Sequence, residues 1–74
     1  MNLVDAAAMN ISLGDTIEVE VRQEDDNDGI AYLEEDIVII ANGYELVGQV
    51  VPVRVTHVKN TTLGKRLIFA EPVL

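Results

Sequence analysis

The run at residues 50–59 constrains this chain most. Val50-Val51-Pro52-Val53-Arg54-Val55-Thr56-His57-Val58-Lys59 follows a Gly48 turn and alternates valine with other side chains. A repeat of two marks a half-buried strand and does not suit a helix of period 3.6. The alternation puts Val51, Val53 and Val55 on one face with His57, and Arg54, Thr56 and Val58 on the other. Pro52 has no N–H to give to a ladder, so its end of the strand belongs at an edge or a bulge. A strand this long needs partners, and the rest of the chain must supply them.

It does so in short pieces. Residues 16–23 alternate, with Ile17, Val19 and Val21 on one side and Thr16, Glu18, Glu20 and Arg22 on the other. Residues 29–33 form a second strand, the apolar residues 37–41 a third buried on both faces, and 66–70 a last one stopped by Glu71-Pro72. Ser12-Leu13-Gly14-Asp15 and Asn42-Gly43 read as turns, 24–28 as an acidic loop, Glu34-Glu35-Asp36 as a tight charged turn and 60–65 as a polar loop. Residues 44–49 form a bridge with room for one helical turn. Phe69 and Tyr32 are expected in the core, and Tyr44 exposed on its loop. Five short strands and no long helix predict an all-β fold, a small five-stranded antiparallel barrel of OB type, since closing the sheet hides its edges. The barrel takes residues 14–74. Residues 1–13 form a connector or the tail of a preceding domain, with helix formers at 4–9 for a turn or two.

Charge narrows the partners. Thirteen acids against five bases leave a net charge of −8. Residues 1–36 carry all but two of the acids and only Arg22 as a base, whereas 37–74 carry Arg54, Lys59, Lys65 and Arg66. A phosphate backbone is repelled by the first half and attracted by the second. The 74 residues hold no cysteine, which removes disulfides and thiolate metal sites. No apolar run reaches the roughly 20 residues of a membrane span. Residues 1–13 lack a basic start and a cleavage site, so the expected location is cytoplasmic.

The succession Gly14-Asp15, a strand, Gly29-Ile30-Ala31-Tyr32-Leu33, an apolar strand, the valine strand and Leu67-Ile68-Phe69-Ala70 resembles the TRAM domain, of the kind at the C-terminus of bacterial PIN-TRAM proteins. The resemblance runs from about residue 13 to 70. Asn2-Leu3-Val4-Asp5-Ala6 is similar to the connector that leaves the PIN domain in such proteins. The resemblance implies an OB-like barrel, RNA as partner, no catalysis, no cofactor and no small-molecule substrate. It also implies an attached PIN-type nuclease domain that holds the carboxylates of any chemistry.

The residues suited to RNA are Arg54, His57, Lys59, Lys65 and Arg66, with Arg22 further off. The last strands bring Lys59, Lys65 and Arg66 to one end around the 60–64 loop, where Asn60, Thr61 and Thr62 add hydrogen bonds. Tyr44 is the candidate for stacking a base. Against this stands scattered surface charge that balances Glu18 and Glu20 across strands. Glu24, Asp26, Asp28, Gly29 and Glu35 nearly keep calcium-loop spacing, but the flanks read as strands, so a solvated hairpin loop is expected and no metal. His57 has no second histidine or cysteine to share a metal, and no catalytic group is expected. Asn60-Thr61-Thr62 matches a glycosylation sequon by chance. Two functions remain: a non-catalytic RNA-binding accessory module, or an interaction module whose acidic face docks on a basic protein partner.

Overall fold

The computed structural model describes residues 3–4 (backbone only), 11–62 and 64–73. Its strands are β1 Leu3–Val4, β2 Thr16–Glu20, β3 Gln23–Asp25, β4 Asp28–Tyr32, β5 Asp36–Ile40, β6 Val50–Lys59 and β7 Arg66–Pro72, with a 3-10 helix at Gly43–Leu46. They form one sheet of seven strands in the order β1-β2-β6-β7-β5-β4-β3. The all-β class stands. The five-stranded, antiparallel, closed barrel does not: β1 with β2 and β5 with β7 pair in parallel, and among the described residues no ladder joins the ends of the sheet.

The difference has a local cause. The alternation over 16–23 reads as one strand, but the chain changes partner in its middle. β2 pairs with β6, while β3 pairs with β4 at the far end of the sheet. The change takes a single step: Val21 exchanges backbone hydrogen bonds with Gly48 and Gln49, and the Arg22 N–H donates to the Ile30 carbonyl at 2.8 Å. One continuous segment thus holds both sides of the sheet, which coils around its core although its ladder stays open.

Inward positions follow the alternation. Ile17, Val19 and Val21, Ala31, Val38 and Ile40, Val53 and Val55, and Ile68 and Ala70 pack as one buried cluster with Ile11. The acidic loop is tighter than expected, because Glu24 and Asp25 belong to β3. The turn is Asp26-Asn27 alone, at φ 54° and 75°, as a two-residue I′ hairpin requires. β7 runs through Glu71 and Pro72 instead of stopping before them, its N–H-free Pro72 lying at the strand's end. The helical turn expected at residues 4–9 falls outside the described residues, apart from Val4 in β1.

The 3-10 helix crosses one end of the core over Gly29. A Cβ on Gly29 would sit 2.8 Å from the Gly43 carbonyl oxygen and 2.9 Å from Val21 Cγ1. Both neighbours are fixed, one by backbone and one by full burial. Gly29→Ala is therefore expected to destabilise the domain by about 1–3 kcal/mol. Each kcal/mol lowers the thermal midpoint of a domain this small by about 4–8 °C. An unchanged midpoint would mean that the helix can move off the strand at no cost.

Candidate nucleic-acid interface

The candidate face is built on β6. Val53 and Val55 point into the core as the alternation predicts. The register then slips: Val55 pairs with Ala70 and His57 with Phe69, so Thr56 is an extra residue with no counterpart on β7. Thr56 forms a β-bulge, and its Oγ1 donates to the Phe69 carbonyl at 3.1 Å. The bulge reverses the phase of the strand. Thr56 and His57 both face out, Val58 turns in and Lys59 faces out. The expectation that His57 shares a face with Val51, Val53 and Val55 is thereby corrected, and Val58 changes sides with it.

Two rows of side chains then cross the outside of the sheet. Lys59 pairs with Leu67, Leu67 with Ile37 and Ile37 with Tyr32; His57 pairs with Phe69, Phe69 with Ile39 and Ile39 with Ile30, which is itself buried. Neighbouring strands lie about 4.8 Å apart, so each row spans roughly 14 Å. Phe69 was expected in the core. Ile68 and Ala70 fill the inward positions of β7, which leaves Phe69 outside, its ring 5.9 Å from that of His57. Tyr32 was expected to be packed, and it is 51 % exposed.

The cations divide into two groups. Arg66 lies in phase with Ile68 and Ala70, at the end of the core. Its Nε and Nη2 donate to the two oxygens of Asp36 at 2.8 and 3.1 Å, and its Nη1 reaches the Ile11 carbonyl at 3.4 Å. Asp36 was expected in a solvated turn; it is the first residue of β5, level with Arg66, and only 3 % exposed. The hydrogen bonds that Arg66 donates to Asp36, with the carboxylate's charge, raise the Arg66 pKa and outweigh the opposite pull of burial, so the guanidinium stays charged. Arg54 pairs with Glu71 across β6 and β7, and Arg22 with Glu20 at 3.4 Å. All three arginines are thus held by carboxylates. Lys65 Nζ donates to the backbone carbonyl of Glu34 at 2.9 Å, and neither Lys65 nor Lys59 has a carboxylate partner among the described residues.

Of the six side chains singled out for RNA, the structure gathers Lys59, Lys65 and Arg66 at one end of the sheet, with His57 one row inward. Arg54 lies toward the other end, beside Glu71. Tyr44 is farther still, on the 3-10 helix, where its N–H donates to the Asn27 carbonyl at 3.2 Å next to the acidic hairpin. Tyr44 is exposed but does not share the face of the lysines. The apolar members of that face, Tyr32, Ile37, Leu67 and Phe69, were not anticipated. In β5 and β7 both faces are apolar, so polarity gives no sign of which is inside.

A family model of the TRAM domain matches residues 12–64. The chain belongs to the TRAM domain family. TRAM domains are RNA-binding modules, small and typically non-catalytic. Comparisons with curated proteins and with solved structures gave no match. In this TRAM domain the matched span covers β2 to β6 and ends before β7. No helix among the described residues is long and apolar enough to cross a membrane. Among those residues, too, no three His, Asp or Glu side chains converge as metal ligands.

The division of cations can be measured by stability alone. Arg66→Ala leaves Asp36 buried without its donors and is expected to cost about 2–3 kcal/mol. Lys59→Ala removes an exposed charge and is expected to stay within about 0.5 kcal/mol of the parent. Urea midpoints of the two variants check this. Equal midpoints would show that Arg66 is no more structural than Lys59.

Proposed function

We propose that this TRAM domain binds RNA on the outer face of β6, β7, β5 and β4 and acts as a non-catalytic accessory module. In this reading it belongs to a cytoplasmic protein of the PIN-TRAM type and presents RNA to the attached nuclease-like domain. The observation that carries the proposal is the Thr56 bulge, which turns His57 and Lys59 out beside Phe69 and Leu67. Lys59, Lys65 and His57 contact phosphate or base edges. Arg54 and Arg66 stay with their carboxylates, and Tyr44 lies off the path of the strand. The acidic side chains of residues 18–35, most of the acids in the chain, face solvent and keep RNA to one side of the molecule.

Replacing both lysines tests this reading. Lys59→Gln with Lys65→Gln is expected to weaken binding about equally for all RNA sequences and to lower its salt dependence, as loss of phosphate contacts does. Unchanged affinity by fluorescence anisotropy would move the RNA to another face. One observation favours a second reading, docking of a basic protein partner: Val50 is 61 % exposed and pairs with Glu20 in the β2–β6 register, beside Glu18. Salt-sensitive binding to a basic protein, with none to RNA, would select it.

A further inference from the structure

Where β5 and β7 begin, Thr61 and Lys65 border the outer face and leave a groove. Its lining is Ile37, Leu67, Thr61 and Lys65, and its volume is about 410 Å³. Ile37 and Leu67 are register partners, so their side chains stand next to each other as an apolar floor. Lys59 flanks Leu67 on one side and Tyr32 flanks Ile37 on the other. Thr61 Oγ1 donates to the Lys65 carbonyl at 2.5 Å, which closes the loop, and the Lys65 ammonium is steadied by the Glu34 carbonyl with two N–H groups left for an anion.

We propose that this groove seats one unstacked nucleobase of a single-stranded RNA, with the adjoining phosphates at Lys59 and Lys65. The inference rests on the RNA-binding reading above and deepens it. An occupant with an apolar flat part and adjoining negative charge fits the floor and the ammonium groups of Lys59 and Lys65 beside it. A nucleotide has that form. The surroundings exclude a duplex held by its backbone. Arg22, Arg54 and Arg66 are paired, and Glu34 and Glu35 stand exposed at the same end, so a long track of phosphates meets repulsion beyond the two lysines. Binding therefore draws on base contact with Ile37, Leu67 and Tyr32 more than on charge, and bases offer that contact only when unstacked.

The test uses the whole domain and three probes: a single-stranded RNA of about seven nucleotides, the same strand annealed to its complement, and the strand with abasic sites throughout. The single strand is expected to bind with a log–log salt slope of about −1.4, from two phosphate contacts. The duplex and the abasic strand are expected to bind at least tenfold more weakly. Leu67→Ala and Tyr32→Ala are each expected to weaken the single strand about tenfold, within the range of base stacking. Amide spectra of both variants report whether they fold, and Lys65→Gln, which leaves the floor intact, is expected to flatten the slope without restoring duplex binding. Equal binding of duplex and single strand, a slope steeper than about −3, or full affinity in a folded Leu67→Ala variant would overturn the groove and leave RNA binding in place. No binding of any probe would overturn both. Capture of an acidic aromatic peptide in the groove, with RNA excluded, would likewise assign it to another ligand.

Discussion

The extra residue in β6 is the constraint on which the outer surface depends. β6 lies between β2 and β7 and must satisfy both. Its first half, pairing with β2, keeps Val51, Val53 and Val55 turned toward Ile17 and Val19. Its second half pairs with β7, where Ile68 and Ala70 already face inward. Thr56 takes up the mismatch. Without the bulge, His57 would turn toward the core and Val58 toward solvent; with it, the core is continuous and His57 and Lys59 share one outer face. A bulge also increases local twist, and a sheet in which one segment passes from β2 near one end to β3 at the other needs that twist to coil around its core.

The same economy shows at the ends of the core. One end is covered by the 3-10 helix, which approaches so closely that positions 29 and 43 have room for glycine only. The other carries the Asp36–Arg66 pair, whose guanidinium also holds the Ile11 carbonyl and so ties the segment before β2 to the start of β7. A charged pair is retained there because each partner satisfies the other's hydrogen bonds at the margin of the core, and neither has to be desolvated alone. The five cations therefore differ: Arg66 holds a buried carboxylate, Arg22 and Arg54 pair with exposed ones, and Lys59 and Lys65 have no carboxylate partner among the described residues. The family's RNA-binding character and the acidity of this chain are compatible on those terms, since a face with few phosphate contacts and an apolar floor needs little net positive charge.

Much of the fold is legible in the sequence. The ten residues of β6 and the inward side chains of β2 follow from alternation alone, and the order of strands, with Gly14-Asp15 before the first and Gly29-Ile30-Ala31-Tyr32-Leu33 after it, carries the resemblance to the TRAM domain. The candidate site is less legible, for three physical reasons. A bulge within an alternating run changes no residue type, so His57 reads on the wrong face. In β5 and β7 apolar side chains occupy both faces, so Phe69 and Leu67 look like core. Asp36 and Arg66 are 30 residues apart. Only the parallel pairing of β5 with β7 shows that one neutralises the other. The partner change at Val21-Arg22 is hidden for the same reason as the bulge: the side-chain pattern runs through it unbroken while the hydrogen bonds do not.

The most direct measurement is a titration of the isotopically labelled domain with a short single-stranded RNA at low salt, following backbone amides. Shifts are expected at His57, Lys59, Lys65, Leu67, Phe69, Ile37 and Tyr32, fading as salt rises, with Tyr44 and the Asp26-Asn27 hairpin unmoved. Shifts centred on Tyr44 and the hairpin, or none at near-millimolar RNA, would contradict RNA binding on this face.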